Sequence, residues 1–129
     1  MAITHAAGVR NSLANVVGDA ADVGAGTAVI QLLDGAVVSV SFPLAATAFD
    51  TAPATAAGII TLLGVPIEVT AAADAAALDN FILRDKDAAI VLQGSVTATG
   101  MGGDIEVTNV NVAENQDCSL ESLTYEAAA

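Results

Sequence analysis

The sequence predicts a mainly β fold, an antiparallel β-sandwich or jelly-roll-like barrel with one N-terminal helix. Three observations carry that expectation. Seven or eight short runs of β-branched and aliphatic residues recur at regular spacing, separated by turn formers. Two of the separations are hairpin signals, at Asp34-Gly35 and at Asp85-Lys86-Asp87. Helical periodicity is confined to the residues before Thr27. The 129 residues are one domain's worth of chain, enough for a real core. The expected division is a helix or arm over 1–26, a β domain over 27–126 and a free tail over 127–129.

The helix is expected from about His5 to Val23. Val9, Leu13, Val16, Val17 and Ala20 recur on one face, with Arg10, Asn11, Asn15 and Asp19 elsewhere. Thr4 is the candidate N-cap, and Gly24 and Gly26 are candidate stops. Gly8 and Gly18 each weaken it by roughly 1 kcal/mol, so it needs support from the rest of the protein or from a second subunit.

From Thr27 the texture changes. TAVIQLL at 27–33 meets AVVSVSF at 36–42 across Asp34-Gly35, with Val38, Val40 and Phe42 alternating against Val37, Ser39 and Ser41. Pro43 ends regular pairing, and the stretch to Gly58 reads as a loop anchored by Leu44 and Phe49. Strands resume at 59–63 and from Val65, where Pro66 belongs at an edge or a strand start. The Ala-rich segment from Ala71 is too short for a stable helix and reads as a loop or a single turn. The runs 79–85 and 88–96 form the second hairpin. After the turn at Met101-Gly102-Gly103 comes a strand with Ile105 and Val107 inward, and a bulge near Asn109 switches the phase toward Val110 and Val112. The last expected strand runs from Ser119 to Glu126, with Leu120, Ser122 and Thr124 opposing Glu121, Leu123 and Tyr125.

The charge balance is lopsided: 15 acidic residues stand against Arg10, Arg84 and Lys86, for a net charge of -12. Such a surface repels phosphate backbones and anionic lipid, so neither nucleic acid nor a membrane is an expected partner. No apolar run reaches the roughly 18 residues that span a bilayer. The N-terminus lacks a basic stretch followed by an apolar one, which argues against a signal peptide and for synthesis in the cytoplasm. A single cysteine, Cys118, forms no intrachain disulfide.

Catalysis requires converging titratable groups, and this chain is poor in them. His5 has no second histidine with which to form a metal pair and reads as a capping or surface residue. Cys118 reads as an inert thiol in a polar turn. The GMGGD run at 100–104 lacks the Lys-Ser/Thr and the following helix of a phosphate loop, so it reads as a β-turn. Asp85 and Asp87 flank Lys86 without the later bidentate glutamate of a calcium loop. No enzyme, cofactor or metal is expected. With few Lys and Arg to blunt its strand edges, the fold invites an obligate assembly.

Ala2-Ile3-Thr4-His5 with Val9-Arg10-Asn11, the Asp34-Gly35 turn, the stretch from Phe49 to Gly58, Phe81 to Asp87 followed by Gly94-Ser95-Val96, and Ser122-Leu123-Thr124 together resemble a family of small tailed-phage virion structural proteins. The sequence departs from that pattern at Asp85-Lys86-Asp87-Ala88-Ala89, where relatives tend to carry a glycine-rich turn. The resemblance implies a capsid decoration or cement protein on the outer surface of the head, with the major capsid protein as partner and self-association as a homotrimer. A tail tube or fibre component is the second reading, and a non-viral binding domain or an enzyme the third. No catalytic residue comes with it. The expected contact residues are Val9, Arg10, Leu13 and Val16 on the helix together with Phe49, and Arg10 is expected to pair with a carboxylate within its own subunit or across an interface.

Overall fold

The computed structural model describes residues 4–52, 56–120 and 123–127. The chain is mainly β with one helix, and its principal sheet curls into a half-barrel. Helix α1 (Ala7–Ala21) is followed by β1 (Val29–Asp34), β2 (Val37–Pro43), β3 (Ile59–Thr61), β4 (Ile67–Thr70), β5 (Asn80–Arg84), β6 (Ile90–Ala98), β7 (Ile105–Val107), β8 (Asp117–Leu120) and β9 (Thr124–Glu126). Five strands form the sheet in the order β2-β1-β5-β6-β7, and two antiparallel ribbons, β3-β9 and β4-β8, lie beside it.

Both hairpins form as the turn residues predict. β1 and β2 meet through Asp34 and Val37, and Gly35 takes the left-handed conformation, φ 61°, that the turn requires. The Asp79 carboxylate accepts the Gly35 N–H at 3.1 Å and so ties this turn to the start of β5. Ile30 and Leu32 of β1, Val40 and Phe42 of β2, and Phe81 and Leu83 of β5 point into one core, where alternation places them. A bulge between Leu32 and Leu33 leaves Ser39 without a cross-strand partner on β1. The Ser39 side chain is buried there, and its hydroxyl donates to the Ala73 carbonyl at 2.6 Å. Its own carbonyl accepts the Ala72 N–H at 2.8 Å, so the outer edge of β2 is stitched to the segment after β4. In the second turn Asp85 is buried, and its carboxylate accepts the N–H groups of Asp87 and Ala89, each at 2.9 Å.

Several boundaries differ from the sequence reading. The helix starts at Ala7 with Ala6 as a cap that makes no side-chain bond, so Thr4 is not its N-cap. The sheet is not wholly antiparallel, because β7 runs parallel to β6, with Val96 opposite Ile105. The physical cause is the glycine run: Gly100 and Gly102, with φ of +87° and +82°, let the short connection loop back and then resume its original direction, and Thr97 and Asp104 hold the returning chain against β6. Thr97 Oγ1 accepts the Gly103 N–H at 3.0 Å, and Asp104 Oδ2 accepts the Ser95 N–H at 2.9 Å. Beyond Val107 the inward phase does switch, to half-buried Val110 and buried Val112, by an Asx turn in which Asn109 accepts the Asn111 N–H at 2.9 Å.

The expected last strand divides in two. β8 pairs with β4 and β9 with β3, and Leu120 and Leu123 are both buried, which no single alternating strand allows. Glu121 and Ser122 of that run lie outside the described residues. Cys118 therefore sits in β8, not in a turn. Ala127 is not a free tail either: it is buried, and its N–H donates to the Gly58 carbonyl at 2.8 Å. Ala128 and Ala129 lie outside the described residues.

Ala88 adopts φ 68°, a left-handed conformation that costs a non-glycine residue about 1 kcal/mol or more. Ala88→Gly is expected to raise stability by about 0.5 to 1 kcal/mol, seen as a thermal midpoint a few degrees higher in calorimetry. The Asn80 side chain and the Gly35 N–H hold the Asp79 carboxyl below its usual value of 3.8. A carboxyl lowered on folding adds stability that is complete above the unfolded value and lost as pH falls through the folded one. The urea-midpoint gap between wild type and Asp79→Ala is therefore expected to hold steady above about pH 5 and to close as pH falls below 3.8.

Candidate interaction surface

Helix α1 has little intrinsic stability. It lacks a side-chain N-cap, carries no acid in its first turn and no base in its last, and contains Gly8 and Gly18. Its position is set by a face of small and amide-bearing residues. Ala14, Gly18 and Ala21 are buried, and a Cβ at Gly18 would already touch Ile60 and Phe49 at 3.5 and 3.6 Å. Three side chains on that face accept backbone N–H groups from the irregular segment between β2 and β3: Asn11 from Gly58 at 2.8 Å, Asn15 from Ala52 at 2.8 Å and Asp22 from Ala48 at 2.9 Å. The spacing of 11, 15 and 22 is that of one helix face.

This reverses the sequence expectation about which face is buried. Asn11 and Asn15 point inward, and the aliphatic stripe points outward. Val9, Leu13 and Val16 are 48%, 41% and 65% exposed, one above the other at the i, i+4, i+7 positions. Val17 alone of the larger aliphatics on α1 packs partly against the core. The missed signal was the recurrence of small and amide residues at 11, 14, 15, 18 and 21, followed by the carboxylate of Asp22 at the helix end. Asn is a poor helix former, so two of them on one helix face point to a tertiary task.

Arg10 stands beside the outward stripe and binds within its own subunit. Its guanidinium meets Glu126 of β9 at 3.0 Å, forms a longer contact of 3.4 Å with the Ala127 carbonyl, and keeps Nε buried without a hydrogen-bond partner among the described residues. The arginine stem passes so close to Gly58 that a Cβ there would lie 3.0 Å from the Arg10 Cβ. Phe49, expected among the contact residues, is 4% exposed and belongs to the core, where it bridges to Leu62. The surface therefore gathers Val9, Leu13 and Val16, flanked by Arg10, and excludes Phe49.

No group of three or more His, Cys, Asp or Glu is placed to hold a metal ion among the described residues. Burial, and then the neighbouring Asp117 charge, push the Cys118 thiol above its usual value, which disfavours the reactive thiolate. No helix among the described residues is long and apolar enough to cross a membrane. Comparison with family models, curated proteins and solved structures gives no match.

Removing the Asn15 acceptor leaves a partly buried Ala52 N–H unpaired, whereas the Arg10–Glu126 pair is partly solvated, with 63% of the glutamate side chain exposed. Asn15→Ala is therefore expected to lower stability by about 1 to 3 kcal/mol, and Glu126→Gln by less than about 1 kcal/mol, in chemical denaturation. Equal losses for the two variants would show that the helix is held by its ion pair instead.

Proposed function

We propose that the chain is a non-enzymatic structural protein of a tailed-phage virion, a capsid decoration or cement protein on the outer surface of the head. It contacts the major capsid protein and neighbouring copies of itself, as a homotrimer. The observation that carries the reading is the outward stripe of Val9, Leu13 and Val16, on a helix whose opposite face is fully engaged. Exposed aliphatics aligned along one element suit a contact surface. The family resemblance of the sequence supplies the class of partner. Because the chain carries a net charge of -12, its dock either meets a basic surface or buries apolar area, and the aliphatic stripe favours the second.

A protein that binds only the assembled shell stabilises it by RT ln(1 + [L]/Kd), so it resists heat on the particle's behalf without turnover. Particles stripped of the protein are expected to lose integrity at a lower temperature than intact ones in a thermal-release assay. Equal release temperatures would sink the cement reading and leave the tail component in its place. Val16→Asp, at the most exposed of the three positions, is expected to change folding stability by no more than about 0.5 kcal/mol yet weaken particle binding or trimer formation by roughly tenfold. The loss is measured by sedimentation and light scattering. Binding through the apolar stripe is expected to persist as salt is raised well beyond physiological strength, where an electrostatic dock would release.

A further inference from the structure

The five-stranded sheet has a second face, turned away from the core. Cross-strand pairing sets Val29, Arg84 and Ile90 in one row on it and Gln31, Ile82 and Gln93 in the next. β2 ends these rows with Pro43 and Ser41. Alternation places them opposite the side on which Ile30, Leu32, Phe81 and Leu83 are buried. Val29, Ile82 and Ile90 are aliphatic, yet among the described residues none belongs to the core cluster or packs against it. Ile90 is 50% exposed, and Val29 and Ile82 are half-buried.

The same rows carry no carboxylate, although the chain has 15 acidic residues, and one of its three cations stands in their midst. Arg84 donates from Nε to the Gln31 side chain at 2.9 Å and from Nη1 to the Ala88 carbonyl at 3.1 Å, which fixes the guanidinium beside the aliphatics.

We propose that this face receives helix α1 of a second copy of the chain, with Val9, Leu13 and Val16 of one subunit set on Val29, Ile82 and Ile90 of the next and Asp19 facing Arg84. The inference rests on the homotrimer reading and names the surface that the stripe meets within it. Charge selects the occupant. Copies of a chain with a net charge of -12 repel one another, so they come close only where acids are few or are opposed by a cation. The sheet face meets both conditions. The helix brings the complement: its three aliphatics are exposed, and exposed Asp19 borders them three residues beyond Val16, its neighbour on the helix surface. Arg10, the cation of the helix, is held by Glu126 of its own subunit and does not oppose Arg84.

Other pairings of the two surfaces fit less well. Stripe against stripe leaves the sheet aliphatics uncovered, and face against face about an axis through its centre brings two Arg84 guanidiniums together. Contact between two different surfaces is head-to-tail, and a threefold axis closes it into a ring.

The test uses the full chain. In sedimentation equilibrium, Ile90→Asp and Val16→Asp are each expected to weaken self-association roughly tenfold or more, with thermal midpoints close to that of the wild type. Arg84→Glu and Asp19→Arg are each expected to weaken it several-fold, and the two together to restore it, which marks a direct pair. In a Cys118→Ser background, a mixture of Val16→Cys and Ile90→Cys chains is expected to form a disulfide between copies that neither variant forms alone. Self-association that survives Ile90→Asp, or a Val16→Cys chain that cross-links to itself, would overturn the proposal and leave the homotrimer reading intact. Loss of particle binding alone by Ile90→Asp would overturn it too and give the face to the shell. A wild-type chain that stays monomeric at concentrations on the order of 100 μM would overturn both.

Discussion

The rest of the molecule depends on how one irregular segment satisfies its backbone. Between β2 and β3 the chain runs without regular structure, yet it carries buried anchors at Leu44, Ala48, Phe49 and Ala52. Buried backbone N–H groups must find acceptors, and β3 supplies one, the Thr61 carbonyl, to the Asp50 N–H, but none to those of Ala48, Ala52 and Gly58. Helix α1 does so through Asn11, Asn15 and Asp22. Once that face is committed inward, the aliphatic stripe on the opposite side of the helix has no place in the core and faces outward. The exposed surface is thus a consequence of the hydrogen-bond requirement, and the helix is held by what it gives to the loop more than by what it buries.

The same logic explains the acidity of the chain. Asp22, Asp34, Asp74, Asp79, Asp85 and Glu106 each accept at least one backbone N–H group from a loop or turn, and the loop residues Asp50 and Asp104 accept one from strand residues Thr61 and Ser95. A carboxylate is the strongest acceptor available to a chain of short strands and many turns, and ionised acceptors make stronger bonds than neutral ones. About half of the 15 acidic residues are therefore structural staples, and the net charge of -12 is in part a by-product of loop architecture. Repulsion among them is tolerable because the staples are spread over separate turns instead of being gathered in one site.

The elements that were legible in the sequence are those whose signal is local. Asp34-Gly35 and the Asp85–Asp87 turn announce hairpins because the turn residues alone decide them, and alternation in β1, β2 and β5 then fixes which residues face the core. What was illegible depended on long-range partners. The inward face of α1 is set by amides 26 to 47 residues away, the parallel course of β7 by a clamp of Asp104 onto Ser95, and the division of the last strand by two different partners, β4 and β3. Arg10 is the instructive case, since its need for a carboxylate was legible and the identity of Glu126, 116 residues distant, was not.

The outward stripe also limits the kind of assembly it can sustain. Val9, Leu13 and Val16 are already about half buried by the helix itself, and fully burying an aliphatic side chain yields about 1.5 to 3 kcal/mol, so covering what remains of the three contributes about 2 to 5 kcal/mol. A micromolar complex needs about 8 kcal/mol after the cost of association. One stripe on one subunit therefore falls short of a lasting interface. Copies held in a fixed array escape the shortfall, because once one contact is made the next forms at an effective concentration in the millimolar range. A closed oligomer set on a repeating lattice meets that requirement, whereas a lone subunit meeting a lone partner does not. On the proposed reading, the weakness of the single contact therefore requires many copies acting together.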